Sequence, residues 1–139
     1  MPIIPDTDYG ARILRRLRNE EAIWMTAVDE NGLPQPNPVW FVWENDSFLI
    51  YTQPNARRLR HIARNPNVSL HFDGGEYGED VVVFTGESRI DSDAPPANTH
   101  LAYLEKYRTG IARLGADPEE FAGRYSVALR VTPKKVRGF

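Results

Sequence analysis

The chain has 139 residues, of which 41% are hydrophobic and 26% charged, a composition typical of one globular domain over residues 1–139. Lys and Arg number 17 against 19 Asp and Glu, so the net charge of −2 excludes a general attraction to nucleic acid or an acidic membrane. The absence of cysteine excludes disulfides, thiolate catalysis and cysteine-ligated metal. No signal-peptide pattern and no apolar run of ~20 residues is found, so we expect a cytoplasmic protein without a membrane segment.

The first half of the chain predicts a helix followed by an antiparallel meander. Apolar residues at helical spacing predict an amphipathic helix over residues 8–20, capped by Asp8. Strand-like runs separated by turn residues follow, at residues 23–28, 39–43 and 48–52. A second helix is predicted over residues 56–64, capped by Asn55 and ended by Asn65-Pro66.

The second half predicts more antiparallel strands with helices confined to the connections. Strands are predicted at residues 68–72, 81–90 and 126–131, and helices at residues 99–114 and directly after Asp117. The acidic, glycine-rich loop over residues 73–80 is expected to be solvated, and Gly86 indicates a bulge. The pattern therefore predicts a mainly β fold with peripheral helices, in which six or seven antiparallel strands form a closed or split β-barrel.

The second predicted helix begins with two arginines, Arg57 and Arg58. Positive charge opposes the helix dipole there, so paired arginines beside free N–H groups suggest an anion, most naturally a phosphate. The alternative is a solvated basic face, which is how most such runs behave. Tyr51 and Thr52 end a strand just before this helix and add hydroxyl groups, which favours the anion site.

Other chemistry-bearing residues have structural interpretations. Histidines 61, 71 and 100 are dispersed without metal-ligand spacing, so no metal site is predicted. The aromatic side chains of the meander are expected to lie in the core or at a subunit interface: Trp24, Trp40, Phe41 and Trp43. Strand alternation places Trp40 and Trp43 on opposite faces of the sheet.

Residues 26–72 resemble the pyridoxamine 5′-phosphate oxidase-like split-barrel flavoprotein superfamily, most specifically between Pro36 and Phe72. Within it, the chain is similar to small oxidoreductases that use the deazaflavin coenzyme F420, and the resemblance extends to the ending over Pro133 to Phe139. It implies an FMN-binding split barrel and a homodimer with cofactor sites at the subunit interface. It also implies hydride transfer between F420, or alternatively FMN, and a small organic substrate.

The resemblance implies ten cofactor-binding residues but no catalytic residue. Four would lie beside the ring system and six around the phosphate: Pro38, Val39, Trp40 and Phe41, then Tyr51, Thr52, Gln53, Ala56, Arg57 and Arg58. Tyr51 and His71 are candidates for a proton donor, without an assigned role. An acidic cofactor tail would need further cations, for which the candidates are Arg60, Arg64, Lys134 and Lys135.

The chain departs from the family pattern at three places. Ala56 stands where Ser or Thr is frequent, Arg58 stands where Lys is frequent, and the C-terminus lacks the histidine of vitamin B6 oxidases. Vitamin B6 oxidation is therefore not expected. Two alternatives to an oxidoreductase stay open: a non-catalytic protein that binds a flavin, a tetrapyrrole or a lipid, and a structural dimer without a ligand.

Overall fold

The computed structural model describes residues 3–139, in which seven antiparallel strands form one sheet with helices around it. The strands are β1 (Ala22–Val28), β2 (Pro34–Trp40), β3 (Val42–Glu44), β4 (Ser47–Thr52), β5 (Asn67–His71), β6 (Val82–Ile90) and β7 (Val127–Gly138). The helices are α1 (Asp8–Asn19), α2 (Arg57–Arg64), α3 (Leu101–Arg113) and α4 (Pro118–Arg124), with a 3₁₀ helix at Ala97–Thr99.

The strand order shows that the sheet curls into a split barrel. The order is β2-β1-β5-β6-β7-β4-β3, so β2 and β3 occupy the two opposite edges. Only Phe41 separates these strands in the chain. The two edges of the sheet must therefore meet at Phe41. The mainly β split barrel with peripheral helices that the sequence predicts is confirmed.

Helix α3 provides hydrogen bonds for the backbone at this corner. Phe41 lies between two strands, and its N–H donates to the Tyr107 hydroxyl at 2.8 Å. Its carbonyl accepts from the Tyr107 hydroxyl at 2.8 Å and from Lys106 Nζ at 3.0 Å. Because a buried backbone polar group without a partner is costly, these two side chains stabilise the junction of β2 and β3.

Two hydrophobic clusters pack on the two sides of the sheet. The inner cluster fills the curled sheet and is closed by α1 and α2: Ile13, Leu17, Ile23, Met25, Ala27, Val39, Phe41, Phe48, Ile50, Ile62, Val68, Leu70, Phe72, Val82, Phe84, Leu129 and Val131. The outer cluster lies under α3 and α4: Val42, Leu49, Tyr51, Ala97, Tyr103, Leu104, Tyr107, Ile111, Phe121 and Ala128. Trp43 packs on the inner cluster and Trp40 on the outer one, which confirms their predicted opposite orientation.

Both predicted helix caps are wrong by one residue. Thr7, not Asp8, caps α1, since its hydroxyl oxygen accepts from the Gly10 N–H at 3.1 Å. Ala56, not Asn55, occupies the cap position of α2, because the Ala56 N–H first closes a turn onto the Gln53 carbonyl at 3.1 Å. As Ala56 has no side-chain acceptor, the first N–H groups of α2 have no side-chain cap.

The strands differ from the prediction where proline occurs. Strand β2 begins at Pro34 rather than at residue 39, and it ends at Trp40. It tolerates prolines because it is an edge strand that pairs only with β1. Strand β7 continues through Pro133 to Gly138, well beyond the predicted end at Val131, and its register with β6 shifts at Gly86, which confirms the predicted bulge.

Two side chains have surroundings that the sequence did not indicate. Asp80 does not simply solvate its loop, because it forms ion pairs with Arg12 and with Arg16, the latter at 3.2 Å. Trp24, which was predicted to lie in the core or at a subunit interface, is not in the core, since 42% of its surface is exposed.

No helix within residues 3–139 is long and apolar enough to cross a membrane.

Candidate functional site

A cavity of about 420 Å³ lies where β2, β4 and the start of α2 meet α3 and α4. Its lining comes from every one of these elements: Pro38, Val39, Trp40, Tyr51, Thr52, Gln53, Ala56, Arg58, Tyr103, Leu114, Phe121 and Tyr125. The curl of the sheet positions this cavity, because it brings the end of edge strand β2 close to the end of β4. The size is that of a small-molecule site.

Arg58 is the one positively charged side chain in this lining. It is half-buried, and it forms no ion pair or side-chain hydrogen bond within residues 3–139. Burial lowers its pKa below the ordinary arginine value, although the nearby Tyr125 opposes this shift. A guanidinium group that has lost part of its hydration and gained no carboxylate is stabilised by an anion bound beside it.

The start of α2 adds backbone donors beside Arg58. Since Ala56 supplies no cap, the N–H groups of Arg57 and Arg58 have neither a helical partner nor a side-chain acceptor. Thr52, which is almost fully buried at the end of β4, also lines the cavity. A guanidinium group, a hydroxyl and free N–H groups together are the donors that bind a phosphate group.

Stacked aromatic rings form one wall of the same cavity. Trp40 stacks on Tyr107 with ring centres 4.7 Å apart and on Phe121 at 5.8 Å, and Phe121 stacks on Tyr125 at 4.6 Å. Gly110 of α3 makes room for the indole, because a Cβ there would lie 2.9 Å from the Trp40 ring. These rings stack on one another and give the cavity an apolar, rigid wall.

Two buried tyrosines, Tyr51 and Tyr103, belong to the lining of the cavity. Tyr51 donates its hydroxyl proton to the Pro95 carbonyl at 2.6 Å, and burial raises its pKa to about 12. Tyr103 is fully buried, and burial raises its pKa well above the ordinary tyrosine value. These phenols therefore keep their protons at neutral pH and act as donors rather than as bases.

The structure brings together most of the residues for which cofactor contacts were predicted. Eight of them line the cavity: Pro38, Val39, Trp40, Tyr51, Thr52, Gln53, Ala56 and Arg58. Two do not, since Arg57 is exposed outside the lining and Phe41 is fully buried in the inner cluster.

The other predicted candidates lie away from the cavity. His71 is outside the lining, and its Nδ1 lies 2.9 Å from the Phe72 carbonyl. Of the cations considered for an acidic tail, Arg64 pairs with Glu30 at 3.3 Å and Lys134 with Glu87 at 3.0 Å. No cluster of metal-ligating side chains occurs within residues 3–139.

Four lining residues were not among the predicted site residues: Tyr103, Leu114, Phe121 and Tyr125. They belong to α3, α4 and the positions that follow these helices. The sequence does contain a signal for them. Tyr103 and Tyr107 are four residues apart, as are Phe121 and Tyr125, and this separation places each pair on one helix face. Helical spacing does not show which surface that face will cover.

The fold is a split barrel, and its cavity places the cation of Arg58 beside an aromatic wall. The family model described as pyridoxamine 5′-phosphate oxidase matches residues 10–139. The chain belongs to this family, which is one of flavin-type oxidoreductases.

Individual relatives are similar over different extents. The pyridoxine/pyridoxamine 5′-phosphate oxidase of Vibrio parahaemolyticus is 37% identical over 57 residues, which is 40% of this chain and 27% of that enzyme. The chain thus matches only about a quarter of the length of this curated relative.

Two solved structures show the same fold at low identity. An F420 reductase has 20% identity and a TM-score of 0.66 over 88% of this chain and 94% of its own. The heme storage protein HutZ of Vibrio cholerae has 18% identity and a TM-score of 0.60 over 91% of this chain and 92% of its own.

Proposed function

We propose that the chain is an oxidoreductase that binds coenzyme F420, or alternatively FMN, in the cavity and uses it for hydride transfer to a small organic substrate. The observation that carries this proposal is Arg58, a half-buried cation that lines the cavity without an acidic partner within residues 3–139. Membership of a flavin-type family supports the proposal, and so does the fold shared with an F420 reductase.

The residues of the cavity fit a cofactor that joins a phosphate to a planar ring. Arg58, Thr52 and the first N–H groups of α2 would hold the phosphate, and Arg57 would add positive charge from outside the lining. The backbone of Pro38 to Trp40 and the stacked aromatic wall would lie beside the ring. The bound ring would supply the hydride chemistry, so the chain has only to orient it and exclude water.

The first experiment measures the affinities of the wild-type chain and of Arg58→Gln for FMN, F420, riboflavin and inorganic phosphate by isothermal titration calorimetry. Loss of a charge-assisted contact should weaken FMN and F420 by roughly 10- to 100-fold. Riboflavin, which has no phosphate, should bind equally to both proteins. Arg15→Gln is the control, because Arg15 is exposed on α1 and lies outside the cavity lining.

A second experiment separates an enzyme from a binding protein. Reduced F420 is incubated with the protein and with nitroaromatics, enones and quinones, and the absorbance of oxidised F420 is followed. Protein- and substrate-dependent oxidation is expected, and it should be lower for Arg58→Gln at limiting F420. Tight binding without turnover, or tight binding of hemin alone, would contradict the proposed oxidoreductase and favour a sequestering role.

A further inference from the structure

Gly110 is a glycine inside a helix whose backbone does not require one. It belongs to α3, and its carbonyl accepts a hydrogen bond from the Leu114 N–H at 3.2 Å. Its φ angle is not positive, unlike that of Gly115 shortly after the helix. Since glycine in a helix interior is less stable than alanine, its presence at this position needs another reason.

The space beside Gly110 is occupied by the outer edge of the Trp40 indole. A Cβ on Gly110 would lie 2.9 Å from Cη2 and 3.2 Å from Cζ2 of that ring. The nearer of these distances is one that Cβ atoms in proteins essentially never show, so the ring would have to shift. The helical Gly123 of α4 differs, because a Cβ there would meet nothing within 4 Å. Gly110 is therefore suited to the close approach of Trp40.

Neighbouring side chains prevent the indole from moving aside freely. It stacks on the Tyr107 ring with centres 4.7 Å apart and planes 4° apart, and on the Phe121 ring at 5.8 Å. Tyr107 is in turn fixed by hydrogen bonds between its hydroxyl group and the backbone of Phe41. A methyl group at position 110 must therefore displace the indole against this stack, and closely packed interiors resist such overpacking.

One face of α3 thus holds both the backbone and a side chain at the end of β2. Tyr107 and Gly110 are three residues apart in α3, which places them on the same face of the helix. Tyr107 bonds the backbone of Phe41, and Gly110 admits the ring of Trp40, the last residue of β2. Because Trp40 and the Phe121 ring on which it stacks both line the cavity, a displaced indole changes the shape of the cavity.

We propose that Gly110 is a positioning residue for the cofactor ring. By lacking a side chain, it lets the Trp40 indole pack against α3, and this packing keeps open the part of the cavity in which the ring binds. Gly110 itself lies outside the cavity lining, so it acts through Trp40. This inference rests on the proposed function, because it takes the cavity to be the site of the cofactor ring.

The test is a double-mutant cycle of Gly110→Ala and Trp40→Phe, measured by calorimetric titration with riboflavin, FMN, F420 and inorganic phosphate. Gly110→Ala should weaken the three ring compounds by roughly 3- to 10-fold and leave phosphate affinity unchanged, since Arg58 lies on α2. Phenylalanine lacks the indole edge that a Cβ at position 110 would meet. In the Trp40→Phe background, Gly110→Ala should therefore change these affinities by less than about twofold.

A spectrum and a control variant distinguish positioning from a general effect on the helix. The near-UV circular dichroism of the ligand-free protein should change in Gly110→Ala, because the stacking of Trp40 is disturbed. The same substitution should leave the spectrum unchanged when Trp40→Phe is already present. Gly123→Ala is the matched control, since Gly123 is a helical glycine with free space around it, and should change neither the spectrum nor the affinities.

The outcomes separate this inference from the proposed function. If wild-type protein binds FMN or F420 and Gly110→Ala binds them equally well, the positioning role is wrong and the proposed function stands. If Gly110→Ala weakens binding equally in both backgrounds, it does not act through Trp40 and the inference is also wrong. If wild-type protein binds none of the three ring compounds, both proposals fail.

Discussion

The inner and outer clusters lie on two sides of one sheet and differ in the aromatic residues that they bury. The buried aromatic rings of the inner cluster are all phenylalanines: Phe41, Phe48, Phe72 and Phe84. In the outer cluster they are mostly tyrosines: Tyr51, Tyr103, Tyr107 and Phe121. A phenylalanine core needs no hydrogen-bond partners, whereas a buried tyrosine hydroxyl usually has one.

This difference indicates a division between folding and binding. The inner cluster contributes mainly hydrophobic burial, and among its residues only Val39 lines the cavity. The outer cluster places the hydroxyl groups of Tyr51 and Tyr107 against backbone carbonyls, and Tyr51, Tyr103 and Phe121 line the cavity. We therefore expect substitutions in the inner cluster to change stability and substitutions in the outer cluster to change ligand affinity as well.

The largest expected effect comes from Phe48→Ala compared with Phe121→Ala. Phe48 is fully buried against Phe41 and Phe84, so its truncation should lower the free energy of unfolding by about 3–5 kcal/mol. Phe121 lines the cavity, where solvent can enter the space left behind, so we expect a loss of only about 2 kcal/mol. Urea unfolding measures the stabilities, and FMN and F420 titrations of the folded proteins should show weakened binding for Phe121→Ala alone. Equal losses of FMN and F420 affinity in the two variants would contradict the proposed division between folding and binding.

A smaller effect is expected from two tyrosines that lie four residues apart on α3. Tyr107→Phe removes the hydroxyl that serves the N–H and the carbonyl of Phe41 and the carbonyl of Glu21, so we expect a loss of about 2–3 kcal/mol. Tyr103→Phe removes a hydroxyl that makes no hydrogen bond within residues 3–139 and should leave the free energy of unfolding nearly unchanged. Urea unfolding of both variants checks this contrast. A loss of stability in Tyr103→Phe similar to that in Tyr107→Phe would show that the Tyr103 hydroxyl has a structural partner.

The sequence predicts the sheet better than it predicts the cavity. Alternating apolar residues mark β5 and β6, and Asn65-Pro66 marks the end of α2, because these signals depend on neighbours along the chain. The prolines of β2 conceal a strand, since the edge position that tolerates them is a property of the finished sheet. Pro133 conceals the second half of β7 in the same way, because the strand passes this proline at the bulge opposite Gly86.

The sequence predicts one half of the candidate site but not the other. The basic start of α2 can be found from the sequence, because a strand, a turn and two arginines follow one another directly. The wall formed by Tyr103, Phe121 and Tyr125 cannot be found from the sequence. An apolar helix face is equally compatible with packing on the sheet and with lining a cavity. The hydrogen-bond partners of Tyr107 likewise come from residues 66 and 86 positions away.

The smallest expected effect concerns Lys106, which lies where the two clusters meet. Its Nζ is 3.7 Å from the centre of the Phe41 ring and 5.3 Å from that of Tyr107. Burial lowers its pKa from 10.5 to about 8, although the negative charges of Glu21 and Glu20 oppose this shift. Between these two pH values the unfolded state binds more protons at this group than the folded state does, so its contribution to stability rises with pH.

Comparison with Lys106→Met isolates this contribution. We expect the free energy of unfolding of the wild-type protein, minus that of the variant, to increase as the pH is raised from 8 towards 10.5 and to be nearly constant below 7. Urea unfolding of both proteins at half-unit pH intervals measures this difference, in which the titration of the other groups largely cancels. A difference that falls with rising pH would mean that the contacts of Nζ with the carbonyls of Phe41 and Leu17 outweigh its burial, so that the junction of the two clusters stabilises a charge.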